Sequence, residues 1–182
     1  GDALTTGIQN VAIGRDALTS EDTGNKSVAV GSFALQTQNY DGDAYNVAVG
    51  HDAGKSVTTG VQNTLVGAQA GDSLTTGTNN VAIGFEALAT EDEHSFNVAV
   101  GHRALKTQNA GASAYSTAVG YNAGLSVTTG VYNTILGGLA GDALTTGNSN
   151  VAIGYLALSG EIQGDRNVAV GNNALESQAN SS

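Results

Sequence analysis

The sequence predicts an all-β protein, a parallel β-solenoid of about ten coils of 17 or 19 residues. Three observations predict this fold. One short motif recurs along the chain, the repeat period is 17 or 19 residues, and valine, isoleucine, threonine, asparagine and glycine dominate each repeat. Helical repeats need about 30 residues or more and good helix formers, so they fit neither the period nor the composition. Short segments rich in β-branched residues suit one coil of a solenoid.

The motif begins with Asn or Ser, followed by Val or Thr, two small or aliphatic residues and Gly. Two variable residues and then Ala follow the Gly. We number the coils 1 to 10 by the motif glycines, which are Gly14, Gly31, Gly50, Gly67, Gly84, Gly101, Gly120, Gly137, Gly154 and Gly171. The steps of 17, 19, 17 and 17 residues make a super-repeat of 70, so the segment at Gly1 returns at Gly71 and Gly141. We expect residues 1–182 to be one repeat domain. Because Gly1 is not a methionine, we expect this domain to be a segment of a longer fibre protein.

Both faces of each predicted strand are apolar. In the first copy Val11 and Ile13 point to one face, while Ala12 and Gly14 point to the other. We expect the larger side chains to fill the coil interior and the alanine and glycine face to be covered by a close neighbour. About four aliphatic side chains per coil are too few to offset the ordering of 17 residues. We therefore expect a homotrimer, although the periodicity also allows a dimer.

Two further columns describe the interior. Six coils carry leucine four residues after the motif glycine, whereas the other four carry glycine there and an aliphatic residue three positions later, as in Gly54 and Val57. The leucine coils have Glu or Gln at that later position, as in Leu18 and Glu21. This exchange is expected of a fixed internal volume, with a local difference in backbone path between the two coil types.

Asparagine is the first residue of the motif in eight of the ten copies, with Ser27 and Ser116 as the exceptions. Stacked coils would bring these side chains into one internal hydrogen-bonded ladder, with about 4.8 Å per step. A glycine ten residues after the motif glycine, such as Gly60 or Gly77, predicts a turn with positive φ.

Composition excludes several classes of function. The chain carries 16 acidic and 6 basic residues, a net charge of −10, so binding to nucleic acid or to anionic membranes is disfavoured, and direct membrane insertion is not expected. Cysteine is absent, and the three histidines share no metal-ligand spacing, so we expect neither a metal site nor a cofactor. The equivalent carboxylates Glu21, Glu91 and Glu161 lie four coils apart, too far for paired acid catalysis, so we expect no enzyme. The acidic run that begins at Glu91 is expected to be a solvated loop.

The phrases at residues 27–35 and 80–88 resemble the head repeats of YadA-type trimeric autotransporter adhesins. Connectors with Thr-Thr-Gly, as at residues 127–130, are also similar to those of phage and bacterial trimeric fibre proteins. The resemblance covers nearly the whole chain, although the autotransporter repeat is usually shorter. It implies a left-handed parallel β-roll, three chains side by side, in an extracellular, cell-surface or virion fibre that attaches to a surface.

We therefore expect a non-enzymatic structural and adhesive segment of a trimeric fibre, either a bacterial adhesin head or a phage tail fibre. Its partners would be two further copies and a receptor on a host or cell surface, with a glycan among the candidates. The alternative is a discrete carbohydrate-binding or ice-binding module. Threonine pairs such as Thr58 and Thr59 suggest ice binding, but they occur in only two neighbouring coils of each four, which breaks a continuous array.

The two 19-residue coils are the best place to look for a ligand, because protruding loops on a stiff scaffold often carry contacts. The first of these loops brings together two aromatic rings and two carboxylates that suit a sugar, and the second keeps one tyrosine. The candidate ligand-binding residues are Tyr40, Asp41, Asp43, Tyr45 and Tyr115. A packing role is the favoured alternative for Tyr45 and Tyr115.

Overall fold

The computed structural model describes residues 1–177, and within that range the chain is an all-β parallel solenoid without a helix. Each described coil contributes one strand of three residues and turns around the rest of its path. The strands are β1 (Val11–Ile13), β2 (Val28–Val30), β3 (Val47–Val49), β4 (Thr64–Val66), β5 (Val81–Ile83), β6 (Val98–Val100), β7 (Thr117–Val119), β8 (Thr134–Leu136), β9 (Val151–Ile153) and β10 (Val168–Val170). The predicted solenoid is thus confirmed.

The strands form one parallel sheet in chain order, from β1 to β10. Each strand pairs with the next at the same motif position, so that Val28 lies opposite Val47 across a 19-residue step, just as Val11 lies opposite Val28 across a 17-residue step. The two additional residues of a 19-residue coil are therefore accommodated outside the sheet. No helix in the described part of the chain has the length and apolar character to cross a membrane.

The assignment of the two strand faces was wrong. The central residues of β2 to β10 point inward and are almost completely buried; they are Ala29, Ala48, Leu65, Ala82, Ala99, Ala118, Ile135, Ala152 and Ala169. The flanking valines and isoleucines point outward, and Ile13 is 59% exposed. The coil is narrow, and its interior already holds a leucine or valine from the opposite wall, such as Leu35 or Val57. Little more than a methyl group then fits at the centre of most strands, whereas Leu65 and Ile135 occupy strand centres in glycine coils, beside Gly71 and Gly141.

The predicted exchange, one large interior side chain in every coil, is wrong for the leucine coils, because they also bury the later Glu or Gln, such as Gln38. Leu35 is fully buried in a leucine coil, and Val57 is fully buried in the next coil, which is a glycine coil. The expected difference in backbone path is absent at the exchanged position, because Leu35 (φ 48°) and Gly54 (φ 56°) share the left-handed conformation. One corner of the coil therefore has a fixed backbone shape, and only the side chains are exchanged there.

Two glycine columns allow the coils to stack closely. The motif glycines have strongly positive φ, and a Cβ atom on Gly67 (φ 135°) would lie 2.5 Å from the carbonyl oxygen of Gly84 in the next coil. The predicted positive φ at Gly60 and Gly77 is wrong, since neither residue has it. A Cβ atom on Gly60 would instead lie 2.5 Å from the carbonyl oxygen of Gly77. Glycine is needed at that corner because the backbones approach closely.

Candidate functional site

The asparagine column inside the solenoid joins each coil to the next. The side-chain oxygen of Asn63 accepts a hydrogen bond from the backbone N–H of Asn80 (3.0 Å), and its Nδ2 donates to the carbonyl oxygen of Gly77 (2.9 Å). The same pair of bonds is made by Asn133, to the N–H of Asn150 and the carbonyl of Gly147. The predicted ladder is confirmed, but it bonds mainly to the backbone, and its role is structural.

The outward side of the sheet carries many of the exposed aliphatic side chains in the described residues. We call it the outer face, and it consists of the first and third side chains of β1 to β10. Its most exposed members are Val11, Ile13, Val49, Ile83, Val119, Leu136, Ile153, Val168 and Val170, all at least 36% exposed. No charged residue lies in these strands. The third side chains form a continuous aliphatic column about 43 Å long at roughly 4.8 Å per step, whereas Thr64, Thr117 and Thr134 interrupt the column of first side chains. An exposed aliphatic column of this length is typical of a surface that another molecule covers.

Two columns of aromatic rings border the outer face. On one side Phe96, Tyr115 and Tyr132 stack with ring centroids 5.0 and 5.8 Å apart. On the other side His102 stacks between Phe85 and Tyr121, at 5.4 and 5.2 Å. The two phenylalanines and two tyrosines at the ends of these stacks are each between 41% and 57% exposed. The stacked rings thus extend the apolar surface on both sides of the strands.

Charged groups lie beyond one aromatic column. Glu86 accepts hydrogen bonds from Arg103 (2.7 Å) and Lys106 (2.8 Å), and the bond from Lys106, together with that from Arg103, lowers the pKa of Glu86. The guanidinium of Arg103 also lies 5.9 Å from the ring centre of Phe85. A charged rim beside an apolar centre is the usual arrangement of a protein interface.

The structure brings two of the candidate ligand-binding residues into one polar cluster. Lys26 donates hydrogen bonds to Asp43 (2.6 Å) and to the hydroxyl of Tyr45 (3.0 Å). These bonds raise the pKa of Lys26 to about 12, and the bond from Lys26 lowers the pKa of Asp43. The ammonium group also lies 5.0 Å from the centre of the Tyr45 ring. The carboxylate of Asp43 and the hydroxyl of Tyr45 are therefore already hydrogen-bonded within the chain.

Tyr40 and Asp41 lie in the same protruding turn but make different contacts. The backbone N–H of Tyr40 donates to the buried carboxylate of Glu21 (3.2 Å), and its side chain stays partly exposed. Asp41 accepts a hydrogen bond from the hydroxyl of Thr23 (2.9 Å) and is exposed. These two side chains are the ones in the turn that are best placed to meet a ligand.

Tyr115 does not join the other four candidate residues. It stacks between Phe96 and Tyr132 at the border of the outer face. It precedes β7, whereas Tyr45 precedes β3, so four steps of the sheet, about 19 Å, separate them. The packing role favoured for Tyr115 agrees with this stack, and that for Tyr45 with its cluster around Lys26. Ligand binding by the set remains a prediction.

Sequence reasoning missed the burial of three glutamates. Glu21, Glu91 and Glu161 are all completely buried, so a solvated position for Glu91 is wrong. The carboxylate of Glu161 accepts three backbone N–H groups of its own turn, at 2.7 to 3.0 Å. Glu91 accepts from the ring Nδ1 of His94 at 2.6 Å. Their burial could have been predicted from their position in the repeat, seven residues after the motif glycine. Neighbouring coils have Val57 and Leu74 at that position, and both are buried.

Among the described residues, Glu91, Asp92 and His94 form a group whose ligand atoms lie within 4.8 Å of one another. The Nδ1 atom of His94 is already hydrogen-bonded to Glu91, and the half-buried Asp92 accepts from the backbone N–H of Glu93 (2.7 Å). These contacts within the turn explain why the three side chains lie close together.

Comparison with family models, curated proteins and solved structures finds no match to this chain.

Proposed function

We propose that the chain is a non-enzymatic structural and adhesive segment of a trimeric extracellular fibre. The observation that carries the proposal is the outer face, because its aliphatic column along the ten strands exposes hydrophobic groups that a single chain leaves uncovered. Three copies packed through their outer faces around a common axis would cover it. The sequence-based prediction placed alanine and glycine at this contact; the proposal now assigns it to valine and isoleucine.

The aromatic columns support assembly through the same face. Rings such as Tyr115 and Tyr121 border the apolar centre from opposite sides, and tyrosine is enriched in protein interfaces. In a trimer these columns would lie near the seams between neighbouring chains. The remaining sides of each solenoid would stay exposed and would carry the protruding turns, including Tyr40 and Asp41, which we propose as contacts to a host or cell-surface receptor.

The native mass of the 182-residue chain tests the assembly. We expect about three times the 18.1 kDa of one chain, and we expect Ile153→Glu to give monomers, since it places a charge in the middle of the outer face. Thr59→Glu is the matched control, because Thr59 is exposed on a turn away from the sheet. A wild-type monomer at micromolar concentration, or a trimer unaffected by Ile153→Glu, contradicts the proposal.

Attachment is tested by coating beads with the chain and counting the cultured cells that adhere. We expect the wild-type and Thr59→Glu chains to retain cells and Ile153→Glu to retain few. Equal adhesion by all three chains would assign attachment to the single chain and favour a discrete binding module. No adhesion by any of them contradicts the adhesive role and leaves a purely structural segment.

A carbohydrate-binding module is the second candidate function, favoured by the exposed Tyr40 and Asp41 on one turn. A panel of host-surface glycans should then bind the wild-type chain, and Tyr40→Ala should lose the binding while Tyr155→Ala keeps it. Absence of binding by the wild-type chain removes this candidate. Ice binding is disfavoured because the hydroxyls of Thr58 and Thr75 are directed to backbone carbonyl groups of the next coil, at 3.3 and 3.0 Å.

A further inference from the structure

Two interior acid and amide pairs, four coils apart, differ in one exchange of side chains. The first pair is Glu21 and Gln38, and the second is Glu91 and Gln108; all four residues are completely buried. In the asparagine column beside the first pair, serine comes before asparagine, at Ser27 and Asn46. Beside the second pair the order is reversed, with asparagine at 97 and serine at 116.

The first pair has complementary donors and acceptors. Gln38 donates its Nε2 hydrogens to Glu21 Oε2 (3.1 Å) and to the hydroxyl of Ser27 (2.9 Å). Its Oε1 accepts from Asn46 Nδ2 (2.8 Å), which also donates to the carbonyl oxygen of Gly60 (2.7 Å). The amide of Gln38 therefore presents its donor side to the carboxylate.

The second pair has the amide turned round. Ser116 lacks the side-chain NH₂ group that Asn46 uses, and Gln108 Nε2 donates instead to the carbonyl oxygen of Gly130 (2.8 Å), the counterpart of Gly60. Since the coils stack in register, this orientation turns Gln108 Oε1 toward the side where Gln38 directs its Nε2. Both Gln108 Oε1 and Glu91 Oε2 are buried without a hydrogen-bond partner.

Two buried acceptors on adjacent coils, Glu91 Oε2 and Gln108 Oε1, thus both lack a hydrogen. A charged carboxylate beside an amide oxygen would be repelled by it, and both residues are completely buried from bulk solvent. We propose that Glu91 is protonated on Oε2 and donates this hydrogen to Gln108 Oε1, so that coils 5 and 6 are joined by a pH-sensitive contact. The proton is taken up from solvent as the chain folds, and it is released to solvent when the carboxyl group ionises.

The other oxygen of Glu91 is compatible with this protonation state. Glu91 Oε1 accepts from the backbone N–H groups of Asp92 and His94 (3.2 Å each) and from the ring Nδ1 of His94 (2.6 Å). A neutral imidazole with its hydrogen on Nδ1 meets this requirement. Asn97 Nδ2 is also buried without a hydrogen-bond partner, so the asparagine column does not supply the hydrogen that Gln108 Oε1 lacks.

The surroundings of Glu91 favour the neutral form. Its own turn contributes His94, which acts on it through the ring and the backbone N–H, and Asp92, which acts through its backbone N–H while its carboxylate lies 3.8 Å from His94 Nδ1. The neighbouring coils present Leu74 on one side and Gln108 on the other, neither of which titrates. Burial raises the pKa of Glu91 above its ordinary value of 4.5, although the hydrogen bond from His94 opposes the change. A raised pKa in the folded state gives a contribution to stability that is complete below 4.5 and is lost as the pH rises through the folded value.

The direct test is a titration of the Glu91 carboxyl carbon by NMR in the wild-type assembly. A midpoint above 4.5 supports the proposal, and a midpoint at or below 4.5 overturns it. The double variant Asn97→Ser with Ser116→Asn gives the second pair the side chains of the first. Gln108 can then turn its Nε2 toward Glu91, so we expect the midpoint to fall, and an unchanged midpoint contradicts the proposed cause.

Substitution by glutamine separates the two pairs. The side-chain amide introduced by Glu91→Gln can donate an N–H to Gln108 Oε1, so this variant should raise the urea midpoint of unfolding at pH 7 and match the wild type near pH 4. The amide introduced by Glu21→Gln would place a donor against the donor of Gln38, so that variant should lower the midpoint at both pH values. A loss of stability in Glu91→Gln at pH 7 comparable to that in Glu21→Gln overturns the proposal. If Glu21→Gln does not fold, the comparison of Glu91→Gln with the wild type and the NMR titration still decide.

Discussion

A methyl carbon of Leu65 lies 2.5 Å from the point that a Cβ atom on Gly54 would occupy. Leu65 is one of two large side chains at the centres of the described strands, where alanine is the rule. On its other side, a Cβ atom on Gly71 would lie 2.8 Å from the second methyl carbon of Leu65. Two glycines in successive coils therefore make room for one leucine, and the sequence exchange between leucine and glycine coils serves this packing.

Gly54→Ala should destabilise the chain because the new methyl group overlaps Leu65. We expect a loss in the free energy of unfolding of about 1–3 kcal/mol beyond that of Gly141→Ala, as is usual for an overpacked core. Gly141 is the matched control: it has nearly the same φ, 52° against 56°, but its Cβ atom would lie 3.4 Å from Ile135, an ordinary contact. Urea unfolding measures both losses.

A double-mutant cycle identifies the cause. Leu65→Ala alone should cost about 2–5 kcal/mol through the cavity that it leaves. In the Gly54→Ala background it should cost less, since the alanine methyl group occupies part of that cavity. Additive losses would show that the strain of Gly54→Ala arises from its backbone conformation alone.

The motif glycines should tolerate alanine only where no further coil follows in the described structure. Gly67→Ala would bring a Cβ atom to 2.5 Å from the carbonyl oxygen of Gly84, whereas a Cβ atom on Gly171 would meet nothing nearer than Ala174, at 4.0 Å. Both have similar φ, 135° and 128°, so the backbone strain is common to the two variants. We expect Gly67→Ala to lose about 3 kcal/mol more than Gly171→Ala in thermal or urea unfolding. Equal losses would mean that φ, and not the contact between coils, requires glycine.

Asn63→Ala should remove two links between coils at once. The carbonyl oxygen of Gly77 and the N–H of Asn80 would both lose their partner in the interior, at about 1–3 kcal/mol each. Asn63→Ser should lose less, because Ser116 accepts from the backbone N–H of Asn133 (3.4 Å) at the equivalent position. Hydrogen exchange of the Asn80 amide, followed by NMR, checks the local effect. Protection unchanged in Asn63→Ala would contradict the structural role of the ladder.

Acidification should weaken the surface cluster around Glu86. The bonds from Lys106 and Arg103 lower the pKa of Glu86 below its ordinary 4.5, so the unfolded chain binds more protons in this range. Its stabilising contribution is therefore complete above 4.5 and disappears as the pH falls through the folded value. The urea midpoint should drop more between pH 6 and pH 3 in the wild type than in Glu86→Gln. Equal drops would show that the cluster contributes nothing, as many exposed ion pairs do.

The repeat predicted most of the fold. The positions of the motif glycines predicted ten strands in parallel register, and the structure contains all ten within residues 1–177. It did not reveal which strand face is internal, because both faces are apolar and the larger side chains are usually inside. The deciding quantity is the width of the coil, which depends on left-handed corners at residues such as Leu35 and Asp52. Such corners are uncommon for residues other than glycine and were not expected from the pattern.

The candidate site was less predictable from the sequence. The composition of the first long turn predicted Asp43 and Tyr45 as ligand-binding residues, and their ligand binding stays a prediction. Their pairing with Lys26 was not foreseen, because that side chain lies 17 residues before Asp43 and 19 before Tyr45. The burial of Glu91 could have been inferred from its column, since Leu74 occupies the same position one coil before. Gln108 donates to Gly130, whereas Gln38 accepts from Asn46, and this difference becomes visible only when the contacts across coils are known.

The two additional residues of a 19-residue coil have a consequence for engineering. Paired strands keep their alignment across the long step, so extra length is absorbed at one corner without disturbing the scaffold. At that corner a Cβ atom on Gly111 would meet nothing within 4 Å. Foreign peptides grafted beside Gly111 would be displayed on a rigid rod, and grafts at successive super-repeats would be spaced by four strand steps, about 19 Å.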